Sequence, residues 1–226
     1  MIGSAQTLLN AMDGICYLAD AEGRILAVGE PSWTAFLRAS SAPAWGEGRV
    51  IGRNLFEAMA SAEVRAIYRD IHEAVLTGSR PHVCFELRCD APDVRRMLRM
   101  SISAVGDAGG PRAVLYQSQL LSAVTRPWMS LFDPARIVEL VRAEAGLPIV
   151  TVCSFCQRAA SPADDGVEWL DAEDYYRLGG ASDVRVSHGA CPDCRGRVEW
   201  PGGSGPEGEP RTSPPACEGA PLVAAE

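Results

Sequence analysis

Four of the eight cysteines in this 226-residue chain stand in two closely spaced pairs. The first pair is Cys153-Ser-Phe-Cys156 and the second is Cys191-Pro-Asp-Cys194, with 34 residues between them. A Cys-x-x-Cys turn directs two thiolates toward one ion about 2.3 Å away, and zinc accepts four such ligands in a closed tetrahedral site. The spacing therefore predicts one structural Zn²⁺ site with Cys153, Cys156, Cys191 and Cys194 as its ligands.

His188 is a fifth possible donor, three residues before Cys191. Because four cysteines already complete a closed site, we expect His188 to form hydrogen bonds around it, with ligation in place of one thiolate as the alternative. A closed site has no exchangeable water position, which zinc hydrolysis requires. No other catalytic constellation is visible, so we expect a protein that is not an enzyme.

All 21 basic residues are arginine, against 29 acidic residues, and the net charge is −8. The absence of lysine excludes a Schiff-base lysine, a Walker-type lysine and the lysine of a protein kinase. Residues 151–200 hold five arginines and nine acids, which disfavours attraction to phosphates. A zinc-containing nucleic-acid-binding regulator is therefore an alternative that the charge disfavours.

Targeting signals and membrane segments are not visible in the sequence. No run approaches the roughly 20 apolar residues of a spanning helix, and no basic segment precedes an apolar one at the N-terminus. We expect a cytoplasmic protein without membrane contact, in which cysteines serve as metal ligands or buried thiols rather than disulfides. A thiol redox sensor using the Cys-x-x-Cys pairs is a second alternative, although no thioredoxin-like βαβ pattern surrounds either pair.

The elements that must position these residues fall into two groups. Two short strands, several short helices and a longer helix from Ser61 to Thr77 precede three further strands. Runs of strands separated by a helical block favour an antiparallel α+β domain over a parallel one. The five strands are predicted at residues 14–18, 24–28, 82–88, 96–105 and 112–120.

The first 122 residues resemble a PAS domain. The resemblance lies in Gly14-Ile-Cys-Tyr-Leu-Ala-Asp20 with the following Gly23, in Val50-Ile-Gly-Arg-Asn-Leu55, and in the helix end from Tyr68 to Gly78. It implies a five-stranded antiparallel sheet with helices over one face, enclosing a pocket for a ligand or a partner contact. It also implies homodimer formation. The sequence does not identify a PAS ligand.

Two further stretches resemble parts of bacterial signalling proteins. Arg88-Cys-Asp-Ala-Pro-Asp-Val-Arg-Arg-Met97 is similar to a stretch that recurs in a subgroup of bacterial PAS proteins. The segment that ends in Ser187-His-Gly-Ala-Cys-Pro-Asp-Cys194 resembles a zinc-binding module found beside PAS, receiver and sensor-kinase domains. Such modules often carry lysine after the first cysteine pair, whereas this chain has the acidic Asp164-Asp165. The resemblance implies a signal-transduction protein whose partner is another protein.

The predicted organisation is a PAS-like domain over 1–122, a connector helix within 123–147, a zinc module over 148–200 and a disordered tail over 201–226. Asp133-Pro134 supplies the start of the connector helix. With two separate domains, Cys191→Ser should unfold the zinc module and leave the first 120 residues folded.

The remaining polar candidates are expected to have structural roles. We expect His72 at the polar edge of the long helix rather than as a haem ligand, and His82 exposed at a strand start. The arginines at 88, 95, 96 and 99 should form a solvated strand face. Cysteines 16, 84 and 89, in or beside strands, should serve packing.

Overall fold

The computed structural model describes residues 5–40, 50–59, 61–107, 110–136, 146–164 and 166–198. The N-terminal part consists of helices α1 (Ala5–Ala11), α2 (Glu30–Ser40) and α3 (Ala62–Leu76), a 3₁₀ turn (Leu55–Ala58), and strands β1 (Ile15–Ala19), β2 (Ile25–Val28), β3 (His82–Arg88), β4 (Val94–Asp107) and β5 (Gly110–Thr125).

The five strands form one antiparallel sheet in the order β2-β1-β5-β4-β3. Each long strand carries alternating buried residues, such as Val114 and Tyr116 on β5, which face the helices. This is a PAS-like sheet with helices over one face and confirms the predicted fold class. Strand β5 extends to Thr125, five residues beyond its predicted end, because its last residues remain paired with β4.

Helix α3 covers the sheet as its sequence pattern predicts. The Ser61 hydroxyl accepts a hydrogen bond from the Val64 amide at 3.3 Å and caps the helix start. The predicted apolar stripe is buried and comprises Val64, Ile67, Tyr68, Ile71 and Val75.

His72 lies on the same buried face of α3, so its expected place at a polar edge is wrong. Its Nδ1 is 2.8 Å from the Tyr116 hydroxyl and its Nε2 is 2.9 Å from the Asp20 carbonyl oxygen. The two partners satisfy both ring nitrogens, which lets a histidine occupy a core position. His82 is exposed at the start of β3, as predicted.

The C-terminal part begins with two 3₁₀ turns, Ser130–Phe132 and Pro134–Arg136. The Asp133 carboxylate accepts a hydrogen bond from the Ala135 amide at 3.0 Å, as the Asp-Pro pair suggests. The rest of the predicted connector helix, residues 137–145, lies outside the described residues. The predicted tail over 201–226 lies outside them as well.

The elements that follow are β6 (Ile149–Cys153), β7 (Ala159–Ala163), β8 (Gly166–Leu170), α4 (Ala172–Arg177), β9 (Arg185–Gly189) and α5 (Pro192–Val198). The four strands form a second sheet in the order β8-β7-β6-β9. Strands β6 and β9 are parallel, and the connection between them contains the β7–β8 hairpin and helix α4. The sequence did not indicate this hairpin because Ala159-Ala-Ser-Pro-Ala163 has no β-branched or aromatic residue.

Buried residues form two clusters that do not follow the predicted domain boundary. The larger cluster contains the core of the PAS-like domain together with Cys153, Phe155, Ala190, Cys191 and Cys194. The smaller cluster joins Met129, Leu131 and Phe132 to the inner side of the second sheet. The cysteine pairs therefore pack on the PAS-like domain, while the rest of the C-terminal part has a core of its own. No helix among the described residues has the length and apolar character to span a membrane.

Candidate metal centre

Parallel pairing of β6 and β9 brings the two cysteine pairs together. Cys153 at the end of β6 is in register with Gly189 at the end of β9, and the Ser154 amide donates to the Gly189 carbonyl at 2.9 Å. The tight turn of the first pair ends directly after Cys156 at Gln157, whose φ of 61° is left-handed. The second pair continues into α5, which begins at Pro192.

The four sulfur atoms converge as the spacing predicts. All lie within 4.8 Å of one another, and the sulfurs of Cys156 and Cys191 are 3.7 Å apart. Four sulfurs about 2.3 Å from a central ion, at tetrahedral angles, would be about 3.8 Å apart. A disulfide requires about 2.05 Å, and these four cysteines are free. Three are buried and Cys156 is half-buried, so the cluster fits a closed site with one tetrahedrally coordinated ion.

Backbone amides and arginines donate hydrogen bonds to the sulfur atoms. The Cys191 amide lies 3.4 Å from the Cys153 sulfur, and the Cys194 amide lies 3.4 Å from the Cys191 sulfur. Arg158 donates to the sulfurs of Cys156 and Cys191 at 3.3 and 3.2 Å. Such contacts stabilise thiolate charge.

Arg197 adds a second cation, which donates to the Cys194 sulfur at 2.8 Å. Four thiolates with one divalent ion carry a net charge of about −2, so two guanidinium groups offset it. Sequence reasoning missed both arginines. Their positions, two residues after Cys156 and three after Cys194, were the available signal.

The protonation of Cys153, Cys156 and Cys194 is interdependent. Hydrogen bonds from the Cys153 and Cys194 thiols lower the pKa of Cys156, and Arg158 lowers it further. The hydrogen bonds with Cys153 and Cys156 raise the pKa of Cys194. Without a metal, these shifts favour the thiolate at Cys156 and the protonated thiol at Cys194. Binding a dication would release the remaining protons.

His188 does not belong to the group of converging ligand atoms, which consists of the four cysteines. It lies on β9 opposite Val152 of β6, and burial lowers its pKa. Four sulfurs supply a complete tetrahedral shell without it.

Next to the metal centre, buried charges connect the two parts of the chain. The Asp90 carboxylate is fully buried and pairs with Arg88 at 2.5 Å and Arg126 at 2.9 Å. Arg88 also pairs with Asp171 at 2.9 Å, and Arg126 pairs with Glu173 at 3.5 Å, both at the start of α4. We call these five residues the ion-pair network.

The network corrects the expectation of a solvated arginine face at Arg88, which is 5% exposed. Two other arginines agree with the expected solvated face. Arg95 is exposed, and Arg99, which is 37% exposed, pairs with the exposed Glu86. Sequence periodicity could not identify Asp171 as a partner of Arg88, since the two residues are 83 positions apart.

Three other cysteines, Cys16, Cys84 and Cys89, lie among the described residues and are not part of this cluster. Cys16 on β1 is fully buried, which agrees with a packing role, and Cys89 is half-buried. The half-buried Cys84 is disulfide-bonded, so the expectation that it serves packing as a thiol is wrong. Burial raises the pKa of Cys16 and of Cys89. Neither belongs to the group of converging ligand atoms.

Solved structures similar to this chain include several PAS domains. The PAS domain of Bordetella pertussis BvgS is 16% identical, covering 52% of this chain and 83% of that chain with a TM-score of 0.41. A PAS domain from Desulfitobacterium hafniense is 14% identical, covering 50% and 97% with a TM-score of 0.34. A sensory box sensor histidine kinase from Vibrio cholerae is 12% identical, covering 51% and 86% with a TM-score of 0.36. No protein-family model and no curated protein sequence matches the chain.

Proposed function

We propose that this chain is a cytoplasmic signal-transduction protein without enzymatic activity. In this proposal a PAS-type domain senses a ligand or binds a protein partner, and the C-terminal module is held together by one structural Zn²⁺ ion. Homodimer formation through the PAS-type domain belongs to the same proposal. The five-stranded sheet supports the first part, because PAS domains are typical of signal-sensing proteins.

The observation that carries the metal assignment is the convergence of four sulfurs within 4.8 Å. A complete sulfur shell favours a structural role, because a catalytic zinc keeps one position for water or substrate. The nearby Asp193 carboxylate pairs with Arg158 at 2.5 Å, so it is not a free general base.

Contacts within the PAS-type core favour partner binding over a large ligand in the centre of the domain. Tyr17 and Tyr116 stack with ring centroids 4.9 Å apart, and Trp33 packs edge-on against Tyr17 at 5.9 Å. The His72 ring on α3 forms a hydrogen bond with the Tyr116 hydroxyl. Aromatic rings thus fill this part of the space between sheet and helices.

A thiol redox sensor is the second candidate. Cys156 is half-buried, and its lowered pKa favours the thiolate, which is the reactive form of cysteine. Nucleic-acid binding has less support, because arginines near the cluster are engaged. Arg158 pairs with Asp193 and Arg195 pairs with Glu63.

Elemental analysis of protein purified without added metal tests the metal assignment, together with the absorption spectrum. We expect about one zinc per chain, no visible chromophore, and loss of zinc in Cys191→Ser but not in the matched variant Cys89→Ser. Iron with visible bands would contradict the proposal and indicate an iron–sulfur or haem sensor.

Thiol counting before and after mild peroxide separates the two candidates. A structural zinc site predicts that the cluster thiols of the zinc-loaded protein resist oxidation. Rapid loss of two of the four thiols, reversed by dithiothreitol, would favour the redox sensor. Light scattering tests the homodimer, and a monomer at all accessible concentrations would contradict that part.

A further inference from the structure

The first cysteine pair presents an aromatic ring to the PAS-type domain. Phe155, between Cys153 and Cys156, is buried and stacks on Tyr68 of α3 with centroids 6.0 Å apart. It also packs edge-on against Phe85 of β3 at 6.0 Å. The Phe155 carbonyl accepts a hydrogen bond from the Arg88 amide at 2.7 Å. The first metal-binding turn is thus fixed to both α3 and β3.

The second cysteine pair is fixed to the start of the same helix. The Ala190 amide, directly before Cys191, donates to the Glu63 carboxylate at 3.0 Å. Arg195, directly after Cys194, forms an ion pair with Glu63. Glu63 lies in the first turn of α3, where a carboxylate also interacts favourably with the helix dipole.

A metal ion would be the strongest link between these two turns. Among the contacts of the described residues, the cysteine pairs meet through β6–β9 pairing, through weak sulfur hydrogen bonds, and through Arg158, which contacts the sulfurs of Cys156 and Cys191 and pairs with Asp193. Both turns pack on α3 within one continuous buried cluster. An ion with four sulfur ligands would hold Phe155 and the Ala190 amide at a fixed separation. Their contacts on α3, Tyr68 and Glu63, are five residues apart along the helix, a rise of about 7.5 Å.

We infer that metal occupancy of the four-cysteine cluster controls the stability of helix α3 in the PAS-type domain. Metal binding orders the two turns that clamp α3, so removing the metal loosens the helix. By thermodynamic reciprocity, a signal that displaces α3 weakens metal binding by the same factor. This inference rests on the proposed metal site. It modifies the expectation that Cys191→Ser leaves the first 120 residues folded, because the start of α3 should then become less stable.

Amide hydrogen exchange of the full-length protein, with and without a zinc chelator, tests the coupling. Zinc content is measured first. A chain that binds no metal would contradict the proposed metal site itself, and this result is distinct from a failure of the coupling. In zinc-loaded protein, chelation should raise exchange over residues 62–68 by about tenfold or more, a coupling within the usual range. The β2 segment, residues 25–28, lies away from the cysteine pairs and serves as internal reference. A rise across the whole chain also supports coupling. Faster exchange confined to the two cysteine turns would overturn it.

Two variants sharpen the test. Glu63→Gln retains an acceptor for the Ala190 amide but loses the charge that pairs with Arg195, and we expect zinc affinity about tenfold weaker in a chelator competition. Glu73→Gln changes an exposed residue of the same helix and should leave affinity unchanged. Phe155→Ala, where it folds and binds zinc, should make α3 exchange insensitive to the chelator. Equal zinc affinity in Glu63→Gln and Glu73→Gln would contradict the inference.

Discussion

The ion-pair network gives the sharpest prediction about stability, through the single substitution Asp90→Asn. Asp90 has a side chain 0% exposed and pairs with two arginines that are 5% and 7% exposed. Its carboxylate also accepts a hydrogen bond from the Arg96 amide at 3.1 Å. Asparagine keeps the size and that acceptor, so the substitution removes the negative charge and the Oδ2 acceptor to which Arg88 and Arg126 donate.

Removing one partner of a buried ion pair costs about 3–5 kcal/mol, because the remaining charge is left uncompensated in a poorly hydrated place. Two carboxylates still face the arginines, but Asp171 and Glu173 are 47% and 43% exposed, so solvent screens them. They should offset part of the loss. We therefore expect the free energy of unfolding to fall by about 3 kcal/mol, at the lower end of that range.

Urea unfolding of wild-type and variant protein, followed by far-UV circular dichroism, measures this difference. The midpoint should fall while the m value stays constant, because the unfolded chain exposes the same surface. The melting temperature should fall by about 6–12 °C for a chain of this size.

Glu86→Gln is the matched control, because Glu86 of β3 and Arg99 of β4 form an ion pair but are 56% and 37% exposed. It should cost less than about 1 kcal/mol. A loss in Asp90→Asn no larger than in Glu86→Gln would refute the reasoning that burial gives the network its strength. The double variant Asp90→Asn with Arg126→Met should lose less than the sum of the single losses, because it removes one of the stranded charges.

Two further predictions concern the pH dependence of stability and the affinity for zinc. Burial lowers the pKa of His72 below its ordinary 6.5, so the folded state favours the neutral ring and stability should fall as the pH drops below 6.5. The free energy of unfolding is measured against pH, and the difference between the wild type and His72→Gln should isolate this fall. The exposed His82 supplies the control His82→Gln. Parallel profiles of the wild type and His72→Gln would contradict the prediction. Arg158→Gln should lower zinc affinity about tenfold, because the guanidinium no longer stabilises two thiolates. The control Arg177→Gln, at an exposed ion pair with Asp174, should retain wild-type affinity, and equal affinities would count against the role of Arg158.

The fold of the N-terminal part could be predicted because its local signals agree with its tertiary structure. The alternation of β3, the apolar stripe of α3 and the Ser61 cap each specify one conformation, and the sheet accommodates all of them. The β7–β8 hairpin had no comparable signal. Its strands form because β6 provides an edge to pair with, which is a property of the assembled sheet.

The sequence by itself determined the four candidate ligands, because a Cys-x-x-Cys turn forces two sulfurs together whatever surrounds it. It could not determine where the cluster lies. Tertiary structure alone decided that Phe155 packs on Tyr68, that Glu63 reaches the Ala190 amide, and that Asp90 is buried between two arginines. These contacts join residues up to 127 positions apart, and no local pattern records them. Packing against α3 therefore makes a recognisable metal motif part of the PAS-type core.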